Sequence, residues 1–207
     1  MGAPIDMLVL HYTGMASAEA ALARLCDPAA KVSAHYTIDE TGAVFAMVPE
    51  DRRAWHAGVS YWAGETNVNA RSIGIELVHP GHDLGYRAFA PAQIRSLIAL
   101  GREILARHPI PARRVLGHSD VAPARKIDPG ELFPWEELAE AGIGLWPESR
   151  DSRFTVQALA EYGYDPHASR MKLILAFQRH FRPRKLNGVW DRECAGLLAG
   201  LLDRPQE

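Results

Sequence analysis

The segment "GHSDVAPARKIDPG", residues 117–130, brings a histidine, a lysine and an aspartate into one short stretch. Its two prolines and two glycines exclude a regular helix or a long strand, so His118, Lys126 and Asp128 belong to a constrained loop. A second histidine, His11, ends the apolar run "DMLVLHY", and His118 follows the short run "RVLG" in the same way. Sheets of the α/β type place ligands and catalytic groups at such strand ends. Two histidines and a carboxylate, with a fourth position open to water, make the donor pattern of a catalytic zinc. The chemistry expected of that set is metal-assisted hydrolysis. The plainer reading of the loop is that Asp128 caps the "DPG" turn and His118 bonds locally.

Two further residues add to the set. Glu76 lies in "SIGIELVH" among Ile73, Ile75, Leu77 and Val78. A carboxylate there is costly to bury unless it is paired or has a task. The structural alternative is an ion pair with Arg52, Arg53 or Arg71. Lys126 precedes Asp128 by two positions, and in an extended segment such residues project to one side. It would then stabilise negative charge on a reacting carbonyl oxygen; taken alone, it is an exposed loop lysine. The other histidines ask for less. His108 falls at a helix end, where it suits the dipole. His79 and His82 flank "PG" and are expected on a loop surface, and His167 and His180 on the surface of the last segment.

The elements that must position these residues follow from the pattern. "IDMLVLHYTG" reads as a buried strand ending in a turn. "SAEAALARLC" reads as a helix capped by Ser17. "SAHYTIDETGAVFAMVP" reads as a hairpin around "DETG". "SIGIELVH" is apolar on both faces, which predicts a central strand. "PAQIRSLIALGREILARH" is a helix with Pro91 in its first turn, a stripe of Ile94, Leu97, Ile98, Ile104 and Leu105, and Gly101 at a close-packed centre. Strands and helices alternate to about residue 142, which predicts an α/β fold with a central mixed β-sheet flanked by helices. After the polar, Gly- and Pro-broken "GIGLWPESRDS" come three helix-like segments, "RFTVQALAEYG", "SRMKLILAFQRHF" and "DRECAGLLAGLL". They predict a small three-helix module. The division expected is therefore 1–146, a linker over 147–152, and 153–207.

Bulk properties narrow the function classes. The chain has 207 residues, of which 47% are apolar, so it can bury a core. A formal charge of -2 gives no attraction to nucleic acid. Two cysteines, Cys26 and Cys194, are too few for a disulfide framework or a cysteine zinc site. No apolar run reaches the length of a membrane span. The start, "MGAPIDMLVLHYTG", is too short and too acidic for a signal peptide, which leans towards the cytoplasm; a leader removed from the chain would place it in the periplasm.

Five motifs in order, "LVLHYTG", "SAHYTID", "RAWHAGVS", "NARSIGIELV" and "GHSDVAPARKIDPG", resemble the zinc-dependent N-acetylmuramoyl-L-alanine amidases of the AmpD-like type. That family also includes phage lysozyme-type amidases and animal peptidoglycan recognition proteins. The resemblance implies one zinc ion per chain on His11, His118 and Asp128, with Glu76 and Lys126 as the catalytic pair. It also implies a pocket position at Tyr36 and groove-lining positions at Trp55, His56 and Asn69. Trp55 could equally be core, and His56 a structural donor. The substrate implied is peptidoglycan or a muropeptide, cut between N-acetylmuramic acid and L-alanine. The alternative is a recognition protein that binds muropeptides without cutting them; such proteins typically lose a zinc ligand, and this chain keeps all three. Segments "ALAEYGYDP", "LILAFQRHFR" and "LNGVWDRECAGLL" resemble a peptidoglycan-binding three-helix module.

Overall fold

A computed structural model describes residues 4–204, so the outermost three residues of the expected 1–146 and 153–207 divisions lie outside the described residues. Five strands form one sheet: β1 (Met7–Tyr12), β2 (Tyr36–Ile38), β3 (Val44–Ala46), β4 (Ser72–Leu77) and β5 (Val115–Gly117). Their spatial order is β3-β2-β4-β1-β5. β1 runs parallel to both β4 and β5, and β2 parallel to β4, while β3 returns antiparallel to β2 through the expected hairpin. β4 is interior to the sheet, as its two apolar faces require. The carboxyl ends of β1, β4 and β5 share one edge, and His11, Glu76 and His118 all lie there.

Side chains alternate along β1 and so serve two cores. Leu8 and Leu10 face helix α2 (Pro91–Arg107), which buries Ile94, Leu97 and Ile104 against them. Gly101 stands where α2 meets Ile143. A Cβ on it would come within 2.7 Å of Ile143 Cδ1, so a larger residue would require the end of the Ile143 side chain to shift. Helix α4 (Trp135–Glu140) adds Trp135 and Leu138 to the same layer. Near the amino terminus, helix α1 (Ala18–Cys26) is capped by Ser17, whose hydroxyl accepts from the Ala20 amide at 3.2 Å.

The opposite face of the sheet carries Met7, Val9 and Leu116. They join Val121 of the short helix α3 (His118–Val121) in a core completed by the last three helices, α5 (Leu159–Tyr162), α6 (Arg170–Phe181) and α7 (Arg192–Leu202). The three helices expected after residue 153 are present, and one continuous apolar cluster ties them to β1 and β5. The architecture is thus three layers, helix on sheet on helix. The "WPESRDS" strap runs along α7, and the Arg150 amide donates to the Gly196 carbonyl. Cys26 is exposed and Cys194 buried, both as free thiols. Among the described residues no helix is long and apolar enough to cross a membrane.

Candidate metal centre and active site

Three donor atoms converge at the carboxyl edge of the sheet. His11 Nδ1 lies 2.9 Å from His118 Nδ1, and both approach Asp128 Oδ2, at 3.2 and 3.1 Å. All three residues are buried. His11 is the next-to-last residue of β1, His118 opens α3, and Asp128 lies within the loop between α3 and α4. The Ser119 amide donates to the Asp128 carbonyl at 2.9 Å, which fixes the two ligand segments to each other.

Hydrogen bonds behind the rings decide which nitrogen carries each proton. The Ser72 hydroxyl donates its single proton to the Val68 carbonyl at 2.7 Å. Towards His56 Nε2, 3.2 Å away, Ser72 can therefore only accept, so His56 is protonated on Nε2. His56 Nδ1 then accepts from His11 Nε2–H at 2.9 Å, leaving His11 Nδ1 with a bare lone pair. His118 Nε2–H donates to the Ala57 carbonyl at 3.0 Å, leaving its Nδ1 bare as well. Two bare nitrogens and a carboxylate oxygen cannot satisfy one another at these distances; a cation among them does. Among the described residues this is the one group of three whose donor atoms converge in this way.

Electrostatics agree with that assignment. Burial, then the neighbouring His118, lowers the His11 pKa to about 4, so its ring is neutral at physiological pH. Burial likewise lowers His56 well below the usual histidine range, helped by His11, His35 and His118. Burial opposes ionisation of Asp128, but His118 beside it and the hydrogen bonds from His11 and His118 outweigh that, and its pKa falls below the ordinary carboxylate value.

Glu76 and Lys126 complete the site. The pairing of β1 with β4 sets Glu76 beside His11 on the same face of the sheet. Glu76, Lys126, His118 and Asp128 line one cavity of about 190 Å3. None of the three arginines considered as partners of Glu76 reaches it. Arg71 pairs with Asp6 and Glu65, Arg52 lies 4.0 Å from Asp51, and Arg53 sits over the Trp55 ring. Glu76 Oε2 is enclosed without a hydrogen-bond partner. Burial, then Asp128, pushes the Glu76 pKa up to about 8, with Lys126 acting the other way. Lys126 makes no ion pair among the described residues.

The remaining expected positions divide. Trp55 is 54% exposed and lines both this cavity and a larger groove of about 1180 Å3 running towards α6. His56 lines the cavity and is also the ring that holds His11. It lies flat on β4 at Gly74, where a Cβ would fall 2.4 Å from its ring. Asn69 lines the larger groove, and its carbonyl oxygen accepts from the His56 and Ala57 amides at 3.1 and 2.8 Å, fixing the loop that holds both rings. Tyr36, expected in the pocket, lies elsewhere. Its neighbour Thr37 is in register with Glu76, so Tyr36 turns to the opposite face and its hydroxyl donates to Glu50 beside α2, at 2.7 Å. His79, expected on the surface, is buried and stacked on Phe89. His180, expected on the surface, is buried against Trp135. Sequence reasoning did not single out Arg125, whose guanidinium grips the Ala57 and Val59 carbonyls.

A three-layer α/β scaffold thus carries a buried His/His/Asp donor set at the carboxyl edge of its sheet, with Glu76 and Lys126 in the adjoining cavity. Residues 1–131 match the N-acetylmuramoyl-L-alanine amidase family, and the chain belongs to it. Its sequence is 40% identical to N-acetylmuramoyl-L-alanine amidase AmiD of Escherichia coli strain K12, over 97% of this chain and 83% of AmiD. The structure of AmiD in complex with the substrate anhydro-N-acetylmuramic acid-L-Ala-D-gamma-Glu-L-Lys superposes with a TM-score of 0.88 at 37% identity, over 98% of this chain and 90% of that one. AmpDh3 of Pseudomonas aeruginosa in complex with anhydromuramic pentapeptide gives 0.86 at 36% identity, over 97% and 92%. Both likenesses extend through the C-terminal helices.

Proposed function

We propose that this chain is a zinc-dependent amidase that hydrolyses the amide between N-acetylmuramic acid and L-alanine in peptidoglycan or muropeptides. The observation that carries the reading is the convergence of His11, His118 and Asp128 beside Glu76 and Lys126 in one cavity. The donor set fits zinc, with two neutral imidazoles, one carboxylate and no thiolate. Zinc ligands at about 2.0–2.1 Å in a tetrahedron stand about 3.3 Å apart, close to the separations seen here. The substrate in the AmiD complex, the anhydromuramic pentapeptide bound to AmpDh3 and the relatives' activity as N-acetylmuramoyl-L-alanine amidases support the choice of bond.

A zinc ion bound there supplies Lewis acidity and lowers the pKa of water. The chain's own residues do the rest. His56, Ser72 and Ala57 hold the two imidazoles with their lone pairs inward. Glu76 takes a proton from the attacking water and passes it to the departing amine of L-alanine. The Lys126 ammonium faces the scissile carbonyl and stabilises the negative charge that develops on its oxygen. The water oxygen bonds to the carbonyl carbon, the C–N bond breaks, and the proton leaves with the amine.

The 1–146 segment is assigned the chemistry and the 153–207 helices retention on the polymer, with 147–152 between them. The exposed apolar side chains of Met171 on α6 and of Phe154 and Val189 on the loops that flank these helices support the second assignment. The test of the function is direct. The purified protein should carry about one equivalent of zinc and release a free L-alanine amino terminus from anhydro-muropeptides and from sacculi, read by mass spectrometry. His118→Ala should lose both zinc and turnover. A protein that binds muropeptides at full zinc load and leaves them uncut would instead be a recognition protein.

A further inference from the structure

Asp120 is the third residue of α3, the helix that opens with His118, and it is 1% exposed. Its carboxylate is fully engaged. Oδ2 accepts from the Gly117 amide at 2.7 Å, reaching back over the first turn as an N3 acid does in a capping box. The same oxygen accepts from His180 Nδ1 at 2.7 Å, and Oδ1 accepts from the Tyr164 hydroxyl at 2.7 Å. His180 lies in the last turn of α6, and Tyr164 follows the end of α5 by two positions, so both donors come from the C-terminal helical segment. The His180 ring is itself clamped, stacked on Trp135 with 3.7 Å between centroids and on Phe181 with 3.8 Å.

We propose that His180 and Tyr164 are positioning residues for the metal ligand His118, acting through Asp120. Helix α3 has four residues and cannot hold its shape alone. Its amino end must nevertheless aim His118 at His11 and Asp128. The carboxylate that ties its first turn to Gly117 has two more lone pairs engaged, and both are filled by the C-terminal helices. The third helical layer is therefore part of the metal centre's outer shell, in addition to any hold it has on the polymer. Partners of this kind behind a ligand typically change metal affinity about 10–100-fold when removed. The inference rests on His118 being a zinc ligand.

The test uses the full chain and measures zinc affinity by competition with a chromophoric chelator. His180→Phe keeps the aromatic stack and removes the donor. Tyr164→Phe removes only the hydroxyl. Each should weaken zinc binding about 10–100-fold. His180→Asn places an N–H where Nδ1 was and should restore most of the affinity. Leu198→Ala, at a fully buried apolar position of α7 that makes no hydrogen bond to Asp120, should lower the melting temperature and leave zinc affinity unchanged. Wild-type affinity in both His180→Phe and Tyr164→Phe overturns the proposal, as does an equal loss in Leu198→Ala, which would mark a general loosening. If His180→Phe does not fold, Tyr164→Phe decides. A His118→Ala protein that binds zinc like the wild type sinks the metal assignment itself, a result distinct from failure of the clamp.

Discussion

Glu76 shows how surroundings set the ionisation of one residue. In the metal-free protein its pKa stands near 8 against an ordinary 4.5, because the strand around it is apolar and Asp128 is close. In the general-base role proposed for it Glu76 must be ionised, and a cation bound beside it would favour that by reversing the local field. The sign of the stability effect follows. The folded protein holds the Glu76 proton more tightly than the unfolded chain, so stability falls as pH rises from about 4.5 to about 8. His11, lowered to about 4, acts the other way, adding stability as pH rises between about 4 and 6.5. Comparison with Glu76→Gln isolates the first effect. In chelator, Glu76→Gln should melt above the wild type at pH 8, with the gap closing towards pH 4.5. A gap independent of pH would show that the carboxyl does not titrate in this window. With zinc present, Glu76→Ala should keep metal and fold and lose about 10²–10⁴-fold in turnover. Lys126→Ala should keep zinc and lose about 10²–10³-fold. Loss of zinc from Glu76→Ala would make it a ligand, and the division of roles given above would fall.

Elements set which residues meet, and here the sequence was legible in part. That His11, Glu76, His118, Lys126 and Asp128 would be gathered in one place was legible because residue type and place agree: polar groups at the ends of apolar strands and on a loop broken by proline and glycine. The role of Ser72 could not. It starts β4, four residues from Glu76, and matters only because the fold brings Val68 and His56 to either side of its hydroxyl. Tyr36 was misplaced for a related reason. Its motif is informative, but the face it takes depends on the register of β2 against β4, which moves every side chain when it shifts by one. His180 was misplaced because the inner face of α6 shows only when that helix is docked on Trp135 and Asp120. The Ser72 relay makes its own prediction. Ser72→Ala leaves His56 Nε2–H without an acceptor and frees the ring to exchange tautomers, so His11 loses its fixed orientation. Zinc affinity should fall about 10–100-fold, and Ser72→Thr, which keeps the hydroxyl, should recover it. Unchanged affinity in Ser72→Ala would mean that the order of protons along this chain of rings is held by something else.

At the scale of the whole molecule, the question is whether residues 153–207 fold as a tethered unit or as a layer of the amidase. The polar strap and the change of composition suggest the first. The packing argues for the second. Met7, Val9 and Leu116 on the sheet and Leu159, Phe177 and Leu198 on the helices belong to one buried cluster, and Asp120 is bonded across the same boundary. Removing the helices would expose Met7 and Val9 of β1 and Leu116 of β5, on the face of the sheet that also carries His11, at roughly 25 cal/mol for each Å2 of apolar area returned to water. A shared core of this kind makes unfolding cooperative. Leu198 is completely buried, so Leu198→Ala should cost about 2–5 kcal/mol, a large part of the roughly 5–15 kcal/mol that holds an ordinary domain folded. The loss should appear as one transition, shifted to lower denaturant, with far-UV circular dichroism and tryptophan fluorescence coincident. Both probes sample both layers: Trp62 lies against Tyr162 and Tyr164, and Trp135 against His180. Two separated transitions, with only the first moved by the substitution, would show that the C-terminal helices unfold on their own. In that case the helices are a tethered module after all, and the outer shell of the metal centre ends at Asp120.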